Sequence, residues 1–309
     1  MESVWSSGSK YHPNRPVSFL PRMSSQQPQI VFSHANSFPA GTYGALFRSL
    51  RARGIAVKAV EKFGHDPRYP VTSNWPHLVR QLADFAAPEI ESHGGPTFLA
   101  GHSLGGFLSL MCAARHPRLG GKGARGVLLL DSPLLGGWRA RTLGLVKLTQ
   151  LVGSVSPGRV SRRRRYQWPG AEAALEHFRR KRAFASWHPQ ALRDYVEHAM
   201  HDEVAPDGTA RRELDFDRDI ETAIYNTLPH NLDRLLRSHP LQCPVGFIGG
   251  TGSQEMRQIG LAMTRKVVGR GHPDRLRMIE GSHLFPMERP QETAAAIEAM
   301  LAELQGTNS

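Results

Sequence analysis

A chain of 309 residues, 40% apolar and 21% charged, is long enough to bury one large core or two modest ones and has the composition of a soluble globular protein. No stretch approaches the roughly eighteen consecutive apolar residues of a membrane-spanning helix. The net charge is +12, and the two cysteines, Cys112 and Cys243, lie far apart beside apolar runs, so buried free thiols in a reducing compartment are expected.

Residues 1–29 are rich in Ser, Pro, Asn and Gln and lack the apolar block of a secretory signal. A disordered extension is expected there, with Met23 as an alternative start that keeps every motif below. Glu2 and the prolines disfavour an organellar presequence, and the expected compartment is the cytoplasm.

Short aliphatic or β-branched runs at 30–33, 55–60, 97–100, 126–130, 245–248 and 275–279 predict strands. Helical patterns occupy 42–53, 75–91 and 104–115, and an alanine-rich amphipathic segment at 291–304 closes the chain. Strand then helix, repeated, predicts an α/β fold: a mostly parallel, doubly wound sheet covered on both sides, with functional loops at the strands' C-terminal rim. Between 134 and 237 no strand signal appears, only helical candidates at 139–152, 170–185, 189–200 and 218–228. Residues 30–133 and 238–309 are therefore expected to form the core, and 134–237 an inserted helical lid.

Charge concentrates in that insertion. Between 134 and 182 stand twelve Lys or Arg against two acids, Glu172 and Glu176, including Arg162-Arg163-Arg164-Arg165 and Arg179-Arg180-Lys181-Arg182. Such a run reads as a solvated face, as an attractor of an anionic substrate such as an acyl-CoA, or as a peripheral contact with an anionic membrane. Nucleic-acid binding is not expected, because no recognised module accompanies the charge.

The chemistry-bearing motif is Gly101-His102-Ser103-Leu104-Gly105-Gly106, between the strand ending at Ala100 and a helix. A strand entering a helix through G-x-S-x-G turns so sharply that the serine adopts a strained backbone. The turn lifts its hydroxyl clear of the sheet and aims the helix N-terminus at it. On these residues the chain resembles the α/β-hydrolase family, from residue 30 to about 304, with the insertion least alike. The resemblance implies an acyl-enzyme route with Ser103 as nucleophile.

The remaining parts follow from the same resemblance. Ser33-His34-Ala35-Asn36-Ser37-Phe38-Pro39 is similar to the family's His-Gly-x oxyanion loop, with Ala35 in place of the usual Gly. That match makes the backbone N–H groups of Asn36 and Leu104 the oxyanion donors and His34 a structural residue. His283, in Gly281-Ser282-His283-Leu284-Phe285-Pro286-Met287-Glu288-Arg289-Pro290, stands where the family places its general base, between the last strand and the final helix. Many relatives take the acid from the loop after the strand corresponding to 245–248, but this chain reads Gly249-Gly250-Thr251-Gly252-Ser253-Gln254-Glu255. Two carboxylates compete: Asp131, ending the strand at 126–130, and Glu255, near a helix start. Asp131 is preferred because a strand end holds an imidazole better, with Ser253 as a supporting hydrogen-bond partner.

The expected activity is hydrolysis of a carboxylic ester or thioester of a small acyl substrate. The alternatives are acyl transfer with the same machinery and a non-catalytic hydrolase-like ligand-binding protein. No cofactor and no metal are expected, since neither a dinucleotide fingerprint nor clustered His/Cys spacing is present. Acyl chain, leaving group and oligomeric state are not legible.

Overall fold

The computed structural model describes residues 27–134, 165–204, 207–269 and 271–306. Strands β1 (Gln29–Ser33), β2 (Ala56–Ala59), β3 (Thr97–His102) and β4 (Gly126–Leu130) precede the insertion. Strands β5 (Gln167–Trp168), β6 (Met200–Val204) and β7 (Ala210–Leu214) lie within it, and β8 (Val245–Gly250) and β9 (Leu276–Ile279) follow. The helices are α1 (Gly44–Ala52), α2 (Pro76–Ser92), α3 (Leu104–Arg115), α4 (Ala171–Arg179), α5 (Pro189–His198), α6 (Arg218–Asn226), α7 (Leu232–Ser238), α8 (Gln254–Ile259), α9 (Ala262–Val268), α10 (Phe285–Glu288) and α11 (Pro290–Gly306).

The main sheet has the order β2-β1-β3-β4-β8-β9, and every pairing in it is parallel. Successive strand residues face opposite sides. Ile30, Phe32, Leu128, Leu130 and Ile248 therefore join one core with Leu46 and Leu50 of α1 and Ile297 and Leu301 of α11. Val31, Leu99, Val127, Leu129 and Phe247 join the other, with Leu78 and Leu82 of α2 and Leu108 and Met111 of α3. Burial on both faces is why β1, β3, β4 and β8 read as unbroken apolar runs. Their C-terminal ends deliver Ser33, Ser103, Asp131 and the loop after Gly250 to one rim.

The insertion differs from expectation. Alongside α4 to α7 it contains a three-stranded antiparallel sheet of order β5-β7-β6, so its described part is mixed rather than helical. Only Met200 in β6 and Leu214 in β7 are buried, and they pair across the ladder. Most other positions are polar or charged, with Asp202 and Arg212 ion-paired at 3.1 Å, so no apolar alternation betrays the strands. The legible signal was Asp207-Gly208, a hairpin turn in which Gly208 has φ 79°. The helix expected over 170–185 is α4, followed by a 3-10 turn at Arg182–Phe184.

Aromatic side chains seat the insertion on the core: the rings of Trp187 and Tyr195 lie 5.6 and 5.8 Å from that of Phe38. Within the basic run, Arg180 pairs with Glu176 at 2.7 Å on a solvated face. Of the extension expected over 1–29, Gln29 is instead buried in β1, while residues 1–26, the helix at 139–152 and Arg162, Arg163 and Arg164 lie outside the described residues. Both cysteines are free thiols; Cys112 is buried, and burial pushes it up to about 12. No described helix is long and apolar enough to cross a membrane.

Candidate active site

At the β3–α3 junction Ser103 has φ 52° and ψ −115°, a conformation that costs a non-glycine residue about 1–3 kcal/mol and persists only where the surroundings enforce it. Three hydrogen bonds do so. Ser103 N–H donates to the Leu130 carbonyl at 3.0 Å, and the Ser103 carbonyl accepts Ser132 Oγ–H at 2.9 Å and Gly106 N–H at 3.0 Å. Close approach of α3 to β1 requires Gly105, where a Cβ would collide with the Ser33 carbonyl.

Asp131, fully buried at the end of β4, also has positive φ, 39°. Its Oδ1 accepts His283 Nδ1–H at 2.9 Å and Ser253 Oγ–H at 2.7 Å, and its Oδ2 accepts Gly250 N–H at 2.7 Å. A buried carboxylate needs such donors in place of water. The Nδ1 proton committed to Asp131 leaves His283 Nε2 with its lone pair. Glu255, the rival acid, stands 3.9 Å from Nδ1 with its side chain 48% exposed. Ser253 also caps α8, accepting Met256 N–H at 3.1 Å. The structure thus brings His283, Asp131 and Ser253 into direct hydrogen bonding and leaves Glu255 at the margin.

The loop carrying His283 is held from two sides. Glu288 accepts Ser282 N–H at 2.8 Å, and Arg289 pairs with Glu280 at 2.7 Å. On the inner side His102 Nε2–H donates to the His283 carbonyl at 2.8 Å. His102 Nδ1 accepts Tyr43 Oη–H at 2.8 Å, and Tyr43 Oη accepts Ala35 N–H at 3.1 Å. This chain ties the loop after β1 to the loop after β9. Burial, and then the neighbouring His283 charge, push His102 down to about 3, so its ring stays neutral. Sequence reasoning missed His102 and Tyr43; only the place of His102 inside the serine motif hinted at it.

His34 does not line the cavity that contains Ser103. Its Nδ1–H donates to the Ala35 carbonyl at 2.7 Å and its Nε2 accepts Phe63 N–H at 3.0 Å, and burial pushes it down to about 4. Both buried histidines have folded values below their ordinary 6.5, so below that pH the unfolded chain takes up protons that the folded chain refuses. Their contribution to stability is complete above about pH 6.5 and is lost as pH falls toward 4 for His34 and 3 for His102. Near pH 5 each adds a slope of about 1.4 kcal/mol per pH unit. Urea midpoints measured from pH 8 to pH 5 are expected to fall, and His102→Gln to remove about one proton from the slope. An unchanged slope in that variant would contradict the burial of a neutral ring.

Asn36, Ser103, Leu104, Asp131, Glu255 and His283 line one cavity of about 150 Å³. Leu104 opens α3, so its N–H is among those a helix leaves without an intrahelical acceptor. No hydrogen bond joins Ser103 to His283 among the described residues, and such bonds are often long before substrate arrives. Among the described residues no group of three His, Cys, Asp or Glu is placed to hold a metal ion.

A strained serine at a strand–helix turn, facing a His–Asp pair from later strand ends, is matched by a profile comparison: residues 30–296 fit the Alpha/beta hydrolase family. The chain belongs to that family. Membership supports hydrolytic chemistry. A search of curated proteins finds no match. Among solved structures the chain is similar to E-2-(acetamidomethylene)succinate hydrolase at 20% identity, covering 89% of this chain and 91% of that one, with TM-score 0.59. It is also similar to the thioesterase domain from the curacin biosynthetic pathway at 20% identity, covering 89% and 92%, with TM-score 0.63. A peroxisomal alpha-beta-hydrolase of Saccharomyces cerevisiae matches at 16% identity, covering 92% and 79%, with TM-score 0.63. At these identities the likeness carries the fold and leaves the substrate open.

Proposed function

We propose that this α/β hydrolase cleaves carboxylic esters or thioesters through an acyl-Ser103 intermediate. The observation that carries the reading is the buried Asp131, which holds Nδ1 of His283 at 2.9 Å while His283 and Ser103 line a single cavity.

Ser103 Oγ attacks the acyl carbon as its proton passes to His283 Nε2, forming a tetrahedral oxyanion. The N–H groups of Asn36 and Leu104 are the oxyanion donors in this reading, and each such donor is worth about 10²–10³ in rate. Collapse breaks the bond to the leaving alcohol or thiol, which takes the proton from His283. Water then adds to the acyl-enzyme with His283 again as base, and the carboxylic acid departs as Ser103 recovers its proton. Asp131 stabilises the imidazolium throughout and fixes its tautomer.

Rapid mixing with p-nitrophenyl butyrate tests the scheme. The expected result is release of p-nitrophenol, with acyl-enzyme trapped on acid quenching as a mass increase on the Ser103 peptide. Absence of turnover with every ester and thioester tried would contradict it.

A further inference from the structure

The cavity at Ser103 divides by chemistry. Its polar lining includes Asn36, Ser103, Asp131 and His283, already assigned to the reaction, together with the half-exposed Glu255. Much of the rest is apolar: Trp75, Phe107, Ile224, Leu228, Pro229 and Ile259. No Lys or Arg is among the described lining residues.

This apolar wall is built rather than incidental. Asn74 and Trp75, at φ 64° and 55°, both occupy the left-handed region, which asparagine tolerates and a bulky tryptophan avoids, and they do so at the start of α2. In that conformation Asn74 N–H donates to the Thr227 carbonyl at 3.1 Å, and Trp75 Nε1–H to Thr227 Oγ at 3.0 Å. Asn74 Oδ1 accepts His230 N–H at 2.9 Å. Leu228 and Pro229 lie between those two anchored residues, so the strained pair pins the segment that lines the cavity. Trp75 itself meets Phe107 of α3 edge to face at 6.2 Å.

We infer that the acyl group accepted at Ser103 is uncharged and compact: a straight chain of about four to six carbons or a benzoyl ring, bounded by Trp75 and Phe107. This rests on the acyl-Ser103 reading above. A void of about 150 Å³ is the size that holds one benzene in an apolar protein interior. A dodecanoyl chain carries about twice the carbons of a hexanoyl chain, so its distal half lies beyond this apolar wall, toward the cavity mouth, and gains little from it. An acyl group bearing its own carboxylate would be desolvated with no described cation to pair with, beside Asp131 and Glu255.

The test is kcat/KM for p-nitrophenyl acetate, butyrate, hexanoate, octanoate, laurate and benzoate, and for the half-ester of succinate. The maximum is expected at butyrate or hexanoate, with benzoate comparable and with laurate and the half-ester at least about tenfold lower. Phe107→Ala, and Thr227→Val as a milder variant that removes the indole's acceptor, should each raise the laurate-to-butyrate ratio severalfold. A profile that is flat or rises to laurate, or a half-ester processed as well as butyrate, overturns the inference. Ratios unchanged in both variants, each folded by circular dichroism, remove Trp75 and Phe107 as the boundary. If such results come with normal fluorophosphonate labelling of Ser103, the acyl-serine reading survives them. No turnover and no labelling overturn both.

Discussion

Ser103→Ala is expected to lower kcat for p-nitrophenyl butyrate by up to about 10⁶, His283→Ala by a similar factor, and the double variant by little more. In the proposed mechanism nucleophile and base perform one act. In that scheme the Ser103 hydroxyl without His283 Nε2 is a poor nucleophile, and the imidazole without Ser103 Oγ has no proton to take. The two residues come from opposite halves of the chain, the β3–α3 turn and the loop after β9, and meet at one cavity. Steady-state kinetics on the three variants checks the prediction. Multiplying losses would show two independent contributions and contradict the unit.

Asp131→Asn is expected to lower kcat by about 10⁴, while Glu255→Gln changes it less than about tenfold. Asp131 accepts three hydrogen bonds at 2.7 to 2.9 Å, from Gly250, Ser253 and His283, in a fully buried position. An asparagine amide in that place keeps the volume, but its NH₂ faces donors, and the imidazole loses both its tautomer and its charge partner. Glu255 at 3.9 Å and half exposed offers a weaker, solvent-screened field. The ratio of the two variants' kcat values is the discriminating quantity. The reverse ranking would move the acid to Glu255.

How much could be read in advance follows from where each signal lives. β1, β3, β4 and β8 are covered on both faces, so each left a continuous aliphatic run at nearly its observed position. The sharp turn at Ser103 was legible because it demands glycines at fixed offsets, and the loop carrying His283 because of its place before the final helix. Asp131 was legible as a carboxylate ending a strand, even though the loop after β8 offers Ser253 where many relatives place the acid. β6 and β7 escaped because their faces are solvated, and their register is written mainly in Met200, Leu214 and one glycine turn. The Ala35–Tyr43–His102–His283 chain escaped for a different reason. Its links span 59 and 181 residues, and no local periodicity encodes a hydrogen bond across such separations. Gly250 contributes a backbone N–H, which has no residue signature at all. Asparagine tolerates the left-handed region at Asn74, but the same conformation at Trp75 is set by the tertiary bond to Thr227 rather than by residue type.

One measurement bears most directly on Ser103 as an activated nucleophile: reaction of the folded enzyme with a fluorophosphonate, followed by peptide mapping of the adduct. A single stoichiometric phosphonyl adduct on Ser103 is the predicted result, absent in Ser103→Ala and formed far more slowly in His283→Ala and Asp131→Asn. A folded enzyme that forms no adduct on Ser103, or labels at the same rate without His283, would contradict it.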